Sequence, residues 1–108
     1  MTLYIRNINT FIALEAQLKT IEVRIYRGFI KTLNIGDNIE IKYTNISSKF
    51  KIIDIRIYNN FQTILNSESL SKIMPYVNTI EEGLDLLNSY YKKNNNNRVV
   101  AIHLLKVK

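Results

Sequence analysis

The segment Lys19-Thr20-Ile21-Glu22-Val23-Arg24-Ile25-Tyr26 alternates residue by residue. Ile21, Val23 and Ile25 fall on one side and Thr20, Glu22, Arg24 and Tyr26 on the other, which is the period of a β-strand with one buried face. The second face is charged and aromatic, so whatever lies over it meets polar groups.

Working outward, Thr2 to Ile5 reads as a short apolar strand. Ile8 to Gln17 reads as a helix, because Ile8, Phe11, Ile12 and Glu15 recur at helical spacing. Beyond the central segment, Gly28 opens an irregular connection. Asn34-Ile35-Gly36-Asp37-Asn38 is a turn before the alternating strand Ile39 to Tyr43. Lys49 to Tyr58 is a longer strand, with Lys51, Ile53, Ile55 and Ile57 on one face and Phe50, Ile52, Asp54, Arg56 and Tyr58 on the other. After Asn59-Asn60 the period becomes helical. Phe61, Ile64 and Leu65 mark one short helix, and Leu70, Ile73 and Met74 another, ended by Pro75. Thr79-Ile80-Glu81-Glu82 has the form of a capping box and predicts a helix through Lys93 with Ile80, Leu84, Leu87 and Tyr91 on one face. Asn94 to Asn97 is a polar turn, and Arg98 to Val107 a final strand. This pattern places Ile21, Val23, Ile25, Ile39, Ile41, Ile53, Ile55, Ile57, Val100 and Ile102 in the core.

At 108 residues, 46% hydrophobic and 22% charged, the chain has the size and composition of one globular domain, residues 1–108. It contains no cysteine and a single histidine, His103, so neither a disulfide framework nor a zinc site is expected, and no cofactor is assigned. His103, between Ile102 and Leu104 in the last strand, reads as a structural histidine. No Gly-rich phosphate loop is present, and spacing supports no Ser-His-Asp triad. The N-terminal residues carry Arg6 and Glu15 among short apolar pieces, which fits neither a secretory h-region nor a membrane span. An intracellular, cytoplasmic protein is expected, and the Asn45-Ile46-Ser47 sequon is then a chance match. The net charge of +6 favours polyanionic partners, discounted because isoleucine, asparagine and lysine are all enriched as in AT-rich coding.

The order strand, helix, Lys19-Thr20-Ile21-Glu22-Val23-Arg24, Ile35-Gly36-Asp37 before a strand, Tyr58 and Phe61 leading into a helix, and Val99-Val100-Ala101-Ile102 near the end resembles the ASCH family of the PUA-like superfamily. The resemblance spans nearly the whole chain. It implies an α+β fold, a small PUA-like twisted β-barrel of about five to six strands with about three to four helices packed at one side. It also implies a cleft into which the K-x-x-E-x-R side chains project. Family members are associated with RNA binding and transcription coactivation, and one bacterial branch deacetylates acetylcytidine. That branch is similar to K-x-x-T-x-R here, with the lysine, the threonine and a later glutamate in catalytic roles. This chain has Lys19 but places Glu22 at the threonine position and Gln17 where a small residue is usual.

Residue chemistry then gives candidate roles. Glu22 and Arg24 share a strand face about 7 Å apart, either as a simple ion pair or beneath a ligand. In the second case Arg24 supplies fixed donors to a phosphate or base edge, and Glu22 accepts from an exocyclic amine or ribose hydroxyl. Lys19, at the strand's entrance, meets a phosphate. Arg56 and Tyr58, if their face looks into the same cleft, hold a phosphate and stack a base; otherwise they lie on a solvated face. Tyr26 and Arg27 have similar standing, whereas Tyr90 and Tyr91 read as packing residues. The leading expectation is a non-catalytic module that holds RNA or a nucleotide with Lys19, Glu22, Arg24, Arg56 and Tyr58. The alternatives are an amidohydrolase of modified nucleosides, with Lys19 as base or nucleophile activator and Glu22 as the carboxylate, and a protein-interaction domain.

Overall fold

A computed structural model describes residues 1–91 and 97–108. The expected helix end at Lys92 and Lys93 and the turn residues 94–96 lie outside the described residues. Five strands form one curled mixed sheet: β1 (Thr2–Tyr4), β2 (Ile21–Ile25), β3 (Asn38–Tyr43), β4 (Ile46–Tyr58) and β5 (Val99–Lys106), in the order β1-β3-β4-β5-β2. β1 runs parallel to β3, and the other pairings are antiparallel. Four helices pack against this half-barrel among the described residues: α1 (Ile8–Glu15), α2 (Phe61–Ser67), α3 (Leu70–Ile73) and α4 (Ile80–Tyr90). A 3₁₀ turn, Gly28–Thr32, follows β2. The fold is thus the small α+β, barrel-like architecture expected from the sequence.

β4 produces the curl. Its first half pairs with β3 through Lys51, and its second half pairs with β5 from Phe50 onward. Near the handover the register slips between Ile52 and Asp54, leaving Ile53 as the extra residue of a bulge. The preceding turn is anchored beside it. Gly36, with φ of 96°, a conformation that suits glycine, donates its amide to the Ile52 carbonyl at 2.7 Å, and the Ile52 amide donates to the Asp37 carbonyl at 2.8 Å. A bulge bends the strand and reverses which side chains face inward.

The reversal corrects the expected core. Phe50 and Ile52 are buried inside the half-barrel, Ile55 is half-buried there, Ile53 is 49% exposed and Ile57 40% exposed. Uninterrupted alternation was the wrong rule for this strand. β4 also begins at Ile46, three residues earlier than expected, because Thr44-Asn45 forms a two-residue connection from Tyr43.

Two cores replace the single one that was expected. On the inner face Leu3, Phe11, Leu14, Ile39, Ile41, Phe50, Ile52, Val100 and Ile102 pack together, closed by α1. On the outer face Ile21, Val23, Ile25, Val99 and Ala101 pack beneath α2, α3 and α4. β5 serves both, which is why its first four residues are all buried. Helix starts follow the local chemistry. Asn7 and Asn60 side chains accept amides at the starts of α1 and α2, and the Thr79 hydroxyl accepts the Glu82 amide at 3.2 Å. The reciprocal half of the capping box is replaced by a contact between the Thr79 hydroxyl and the Glu82 carboxylate.

The bulge makes neighbouring isoleucines unequal. Ile52→Ala should destabilise the fold by about 2 to 5 kcal/mol, whereas Ile53→Ala should stay within about 0.5 kcal/mol of wild type. Chemical denaturation of the two variants checks this, and equal losses would contradict the bulged register.

Candidate functional site: the cleft between the sheet edges

The curl brings the two edge strands, β1 and β2, face to face. The Leu104 amide donates to the Thr20 carbonyl and the Tyr26 amide to the Arg98 carbonyl, so the even residues of β2 direct their backbone groups toward β5. The odd residues, Ile21, Val23 and Ile25, therefore turn theirs to the free edge. Each of their carbonyls is capped. Lys19 Nζ donates to Ile21 at 2.6 Å, the Tyr91 hydroxyl to Val23 at 3.4 Å, and the Arg27 amide to Ile25 at 2.9 Å. On β1, Met1 and Ile5 bond to β3, which leaves the Tyr4 carbonyl at the open edge. Arg24 Nη2 crosses the gap and donates to it at 3.0 Å.

The geometry of Lys19 organises the floor of this gap. Gln17, with φ of 60°, ends α1 in the left-handed region, and the Leu18 and Lys19 amides both return to the Ala13 carbonyl, turning the side chain of Lys19 inward. Its ammonium donates to the Ile21 and Ile73 carbonyls at 2.6 and 2.8 Å and lies 3.2 Å from Glu22 Oε1. Three acceptors match the three protons of an ammonium. Lys19 is buried, so it is not available at the surface as a phosphate ligand, the role expected from the sequence. Burial pulls its pKa below the ordinary lysine range, and the Glu22 charge opposes that pull.

Glu22 is buried beside it. Burial alone would raise its carboxyl pKa, but the Lys19 and Arg24 charges outweigh it and hold the group below the usual carboxylate range. Arg24 Nε and Nη2 both lie 2.9 Å from Oε2. A carboxylate has about four lone-pair positions. With two engaged on Oε2 and one on Oε1, a single acceptor position is left, on Oε1. The expected Glu22–Arg24 pair therefore exists, and it forms part of a cleft wall.

The cleft has a volume of about 700 Å³. One wall is β1 and the start of α1, with Tyr4, Arg6, Asn7 and Thr10; the other is β2 with Arg24 and Arg27, and Phe29 beyond it. Tyr76, Tyr90 and Tyr91 close the side that α4 faces. Burial raises the pKa of the Tyr76 and Tyr91 phenols, so both remain protonated donors at neutral pH. Tyr90, expected as packing, is 51% exposed and lines the cleft. Tyr91 does pack, against Phe61 at 5.5 Å between ring centroids, while its hydroxyl reaches the edge of β2.

Arg56 and Tyr58 do not join this site. Cross-strand register runs Glu22 to Ile102 to Ile55 and Arg24 to Val100 to Ile57, so Arg56 and Tyr58 occupy the opposite face of the sheet. There they meet the carboxylate of Glu68, at the end of α2. Tyr58 donates its hydroxyl, Arg56 Nη1 lies 3.4 Å away and His103 Nε2 3.0 Å away, while Asp54 pairs with Arg56 at 2.8 Å. This is a structural knot in which the buried carboxylate is fully engaged. His103 thus has the Glu68 carboxylate as its partner. Glu68 carried no sequence signal, because its partners come from separate strands. Arg27, a candidate from the sequence, does line the cleft, whereas Arg6 and Tyr76 were hidden, since only the meeting of β1 with β2 brings them beside it.

No protein-family model and no curated protein matches this chain. Two solved structures are similar to it along nearly their whole length. The crystal structure of hypothetical protein PH0355 has a TM-score of 0.86 at 26% identity, covering 98% of this chain and 97% of that one. The solution NMR structure of protein PF0455 from Pyrococcus furiosus has a TM-score of 0.74 at 27% identity, covering 100% and 99%.

The Lys19–Glu22–Arg24 group should be energetically coupled. Lys19→Met leaves Glu22 charged and short of a partner, and should cost about 3 to 5 kcal/mol. Lys19→Met combined with Glu22→Gln should cost less than the two single losses added together, in a double-mutant cycle. Because the folded pKa of Glu22 is lowered, its contribution is complete above the ordinary carboxylate range and disappears as pH falls through the folded value. Acid denaturation should therefore show a shallower loss in Glu22→Gln than in wild type. Additive variants with parallel acid profiles would contradict the coupling.

Proposed function

We propose that the chain is an RNA- or nucleotide-binding domain of the ASCH type, which holds its ligand in the cleft between β1 and β2. The observation that carries this reading is the composition of the cleft: Arg6, Arg24 and Arg27 stand against one carboxylate, Glu22, among tyrosine and phenylalanine side chains. Arginines suit phosphate oxygens, and exposed aromatic rings suit the flat faces of bases. Glu22 sets the direction of the ligand. An ionised carboxylate at the floor repels phosphate and offers its remaining acceptor position to an N–H or O–H donor. The base or ribose points inward, and the phosphates lie toward Arg6 and Arg27 at the mouth.

The bonding of Lys19 supports a binding role over an amidohydrolase. A lysine acting as base or nucleophile activator needs an unprotonated nitrogen exposed to substrate. Here the Lys19 side chain lines the cleft and burial lowers its pKa, but each hydrogen-bond position of its nitrogen is already taken, by two carbonyls and a carboxylate.

Binding of nucleoside monophosphates to the purified protein, followed by calorimetry, tests the reading. Tyr90→Ala should remove about 1 to 3 kcal/mol of stacking, and Arg6→Ala should weaken binding and flatten its salt dependence. Acetylcytidine incubated with the protein should yield no cytidine by chromatography. Absence of binding, or affinity unaffected by both substitutions, would remove the site from this cleft. Cytidine release that survives Tyr90→Ala but vanishes in Glu22→Gln would establish the enzyme instead.

A further inference from the structure

The helix layer on the outer face of the sheet stops half-way across it. α2, α3 and α4 cover Ile21, Val23, Ile25, Val99 and Ala101, and the cover ends where Glu68, just after α2, meets His103. Past His103 the outward positions are Leu105, near the end of β5, and Val107, just beyond it. Lys51 stands opposite Leu105, and the Val107 amide donates to the Lys49 carbonyl at 2.9 Å, so each of the two aliphatic side chains has a lysine as its cross-strand neighbour. The bulge leaves Ile53 exposed, two residues along β4 from Lys51. Leu105 is 52% exposed, Ile53 49% and Val107 41%. On β3 the same face continues through Glu40, opposite Lys49, and Lys42, opposite Ser47. Lys42, Lys49 and Lys51 form no ion pair among the described residues.

Exposed aliphatic side chains interleaved with unpaired ammonium groups fit a partner that brings apolar and anionic groups together. Other occupants fit less well. A nucleic-acid base needs a π face to stack on, and the apolar positions here are aliphatic. A second copy in a two-fold contact would set the lysines of this face against the same lysines. A flat bilayer meets the convex side of a curled sheet at few residues and buries little apolar area. β4 is paired on both sides at Lys51, with β3 and with β5, so a partner lies over the face and adds no strand there. Leu105 and Val107 are about 6.6 Å apart along the strand, close to the rise of about 6 Å between residues i and i+4 of a helix. We infer that this face docks an acidic amphipathic helix of a partner protein. Its apolar stripe seats on Leu105, Val107 and Ile53, its flanking carboxylates meet Lys49 and Lys51, and it continues the helix layer over the uncovered half of the sheet. Glu22 and Arg24 lie on the other face of the sheet, so this docking stands independently of what the cleft holds.

The test follows amide NMR spectra of labelled protein titrated with three synthetic helical peptides of equal length. One carries leucines at i, i+3, i+4 and i+7 among glutamates and alanines, the second has lysines in place of the glutamates, and the third has serines in place of the leucines. Octaribonucleotides and phosphatidylserine vesicles are titrated in parallel. The acidic leucine peptide should move the amides of Lys49, Lys51, Ile53, Leu105 and Val107, and should bind at least about tenfold more tightly than either other peptide. Leu105→Ser should weaken that binding at least about tenfold, and Lys49→Glu/Lys51→Glu should reverse the preference toward the lysine peptide. These positions are exposed, so the amides of both cores should keep their wild-type shifts in the variants. Equal affinity for the three peptides, an acidic leucine peptide that leaves this face unmoved, or shifts here produced by the vesicles or the RNA and not by that peptide would each overturn the inference.

Discussion

The ammonium of Lys19 is the constraint on which the cleft depends. It leaves the left-handed turn at Gln17, enters a buried position and joins two separate parts of the chain: β2, through the Ile21 carbonyl and the Glu22 carboxylate, and the end of α3 at Ile73. A buried charge is tolerated only when its partners are complete. Glu22 is in turn completed by Arg24, and Arg24 reaches the carbonyl of Tyr4 on the opposite edge. One continuous series of charge-assisted bonds therefore runs from α3 through β2 to β1. It closes the half-barrel with side chains where a further strand pairing is missing.

That arrangement explains how an open sheet exposes two edges while the carbonyls of Ile21, Val23, Ile25 and Tyr4 keep hydrogen-bond partners. Edge strands invite pairing with other chains. Here the carbonyls of β2 are taken in order by Lys19, Tyr91 and the Arg27 amide, and that of Tyr4 by Arg24. The space left between the edges is lined by groups whose hydrogen bonds hold them in place, which lowers the ordering cost of any ligand that enters. No helix among the described residues is long and apolar enough to cross a membrane.

Much of the fold was legible because it follows from local periodicity. Ile21, Val23 and Ile25 alternate over a full strand, and Asn60 and Thr79 stop one element and start another. What failed was a matter of long-range geometry. Alternation through Lys51 to Ile57 was broken by one inserted residue, and a bulge has no composition signal when every neighbour is isoleucine, lysine or aspartate. The site was half legible for a similar reason. Glu22 and Arg24 lie on one strand, so their spacing declares that they share a face. Whether Arg56 and Tyr58 look into the same space depends on how many strands intervene and where the register slips. Gln17 holds a left-handed backbone, a conformation that favours glycine and that its own side chain does not announce.

The proposed nucleic-acid ligand would lie between the edges of β1 and β2. Amide NMR spectra recorded while single-stranded RNA is added to uniformly labelled protein test it most directly. A ligand in the cleft should concentrate shift changes at Tyr4, Arg6, Val23, Arg24 and Tyr90, with Arg56, Tyr58 and Glu68 on the opposite sheet face left unmoved. Changes centred on Arg56, Tyr58 and Glu68, with the β1 and β2 edges silent, would contradict it.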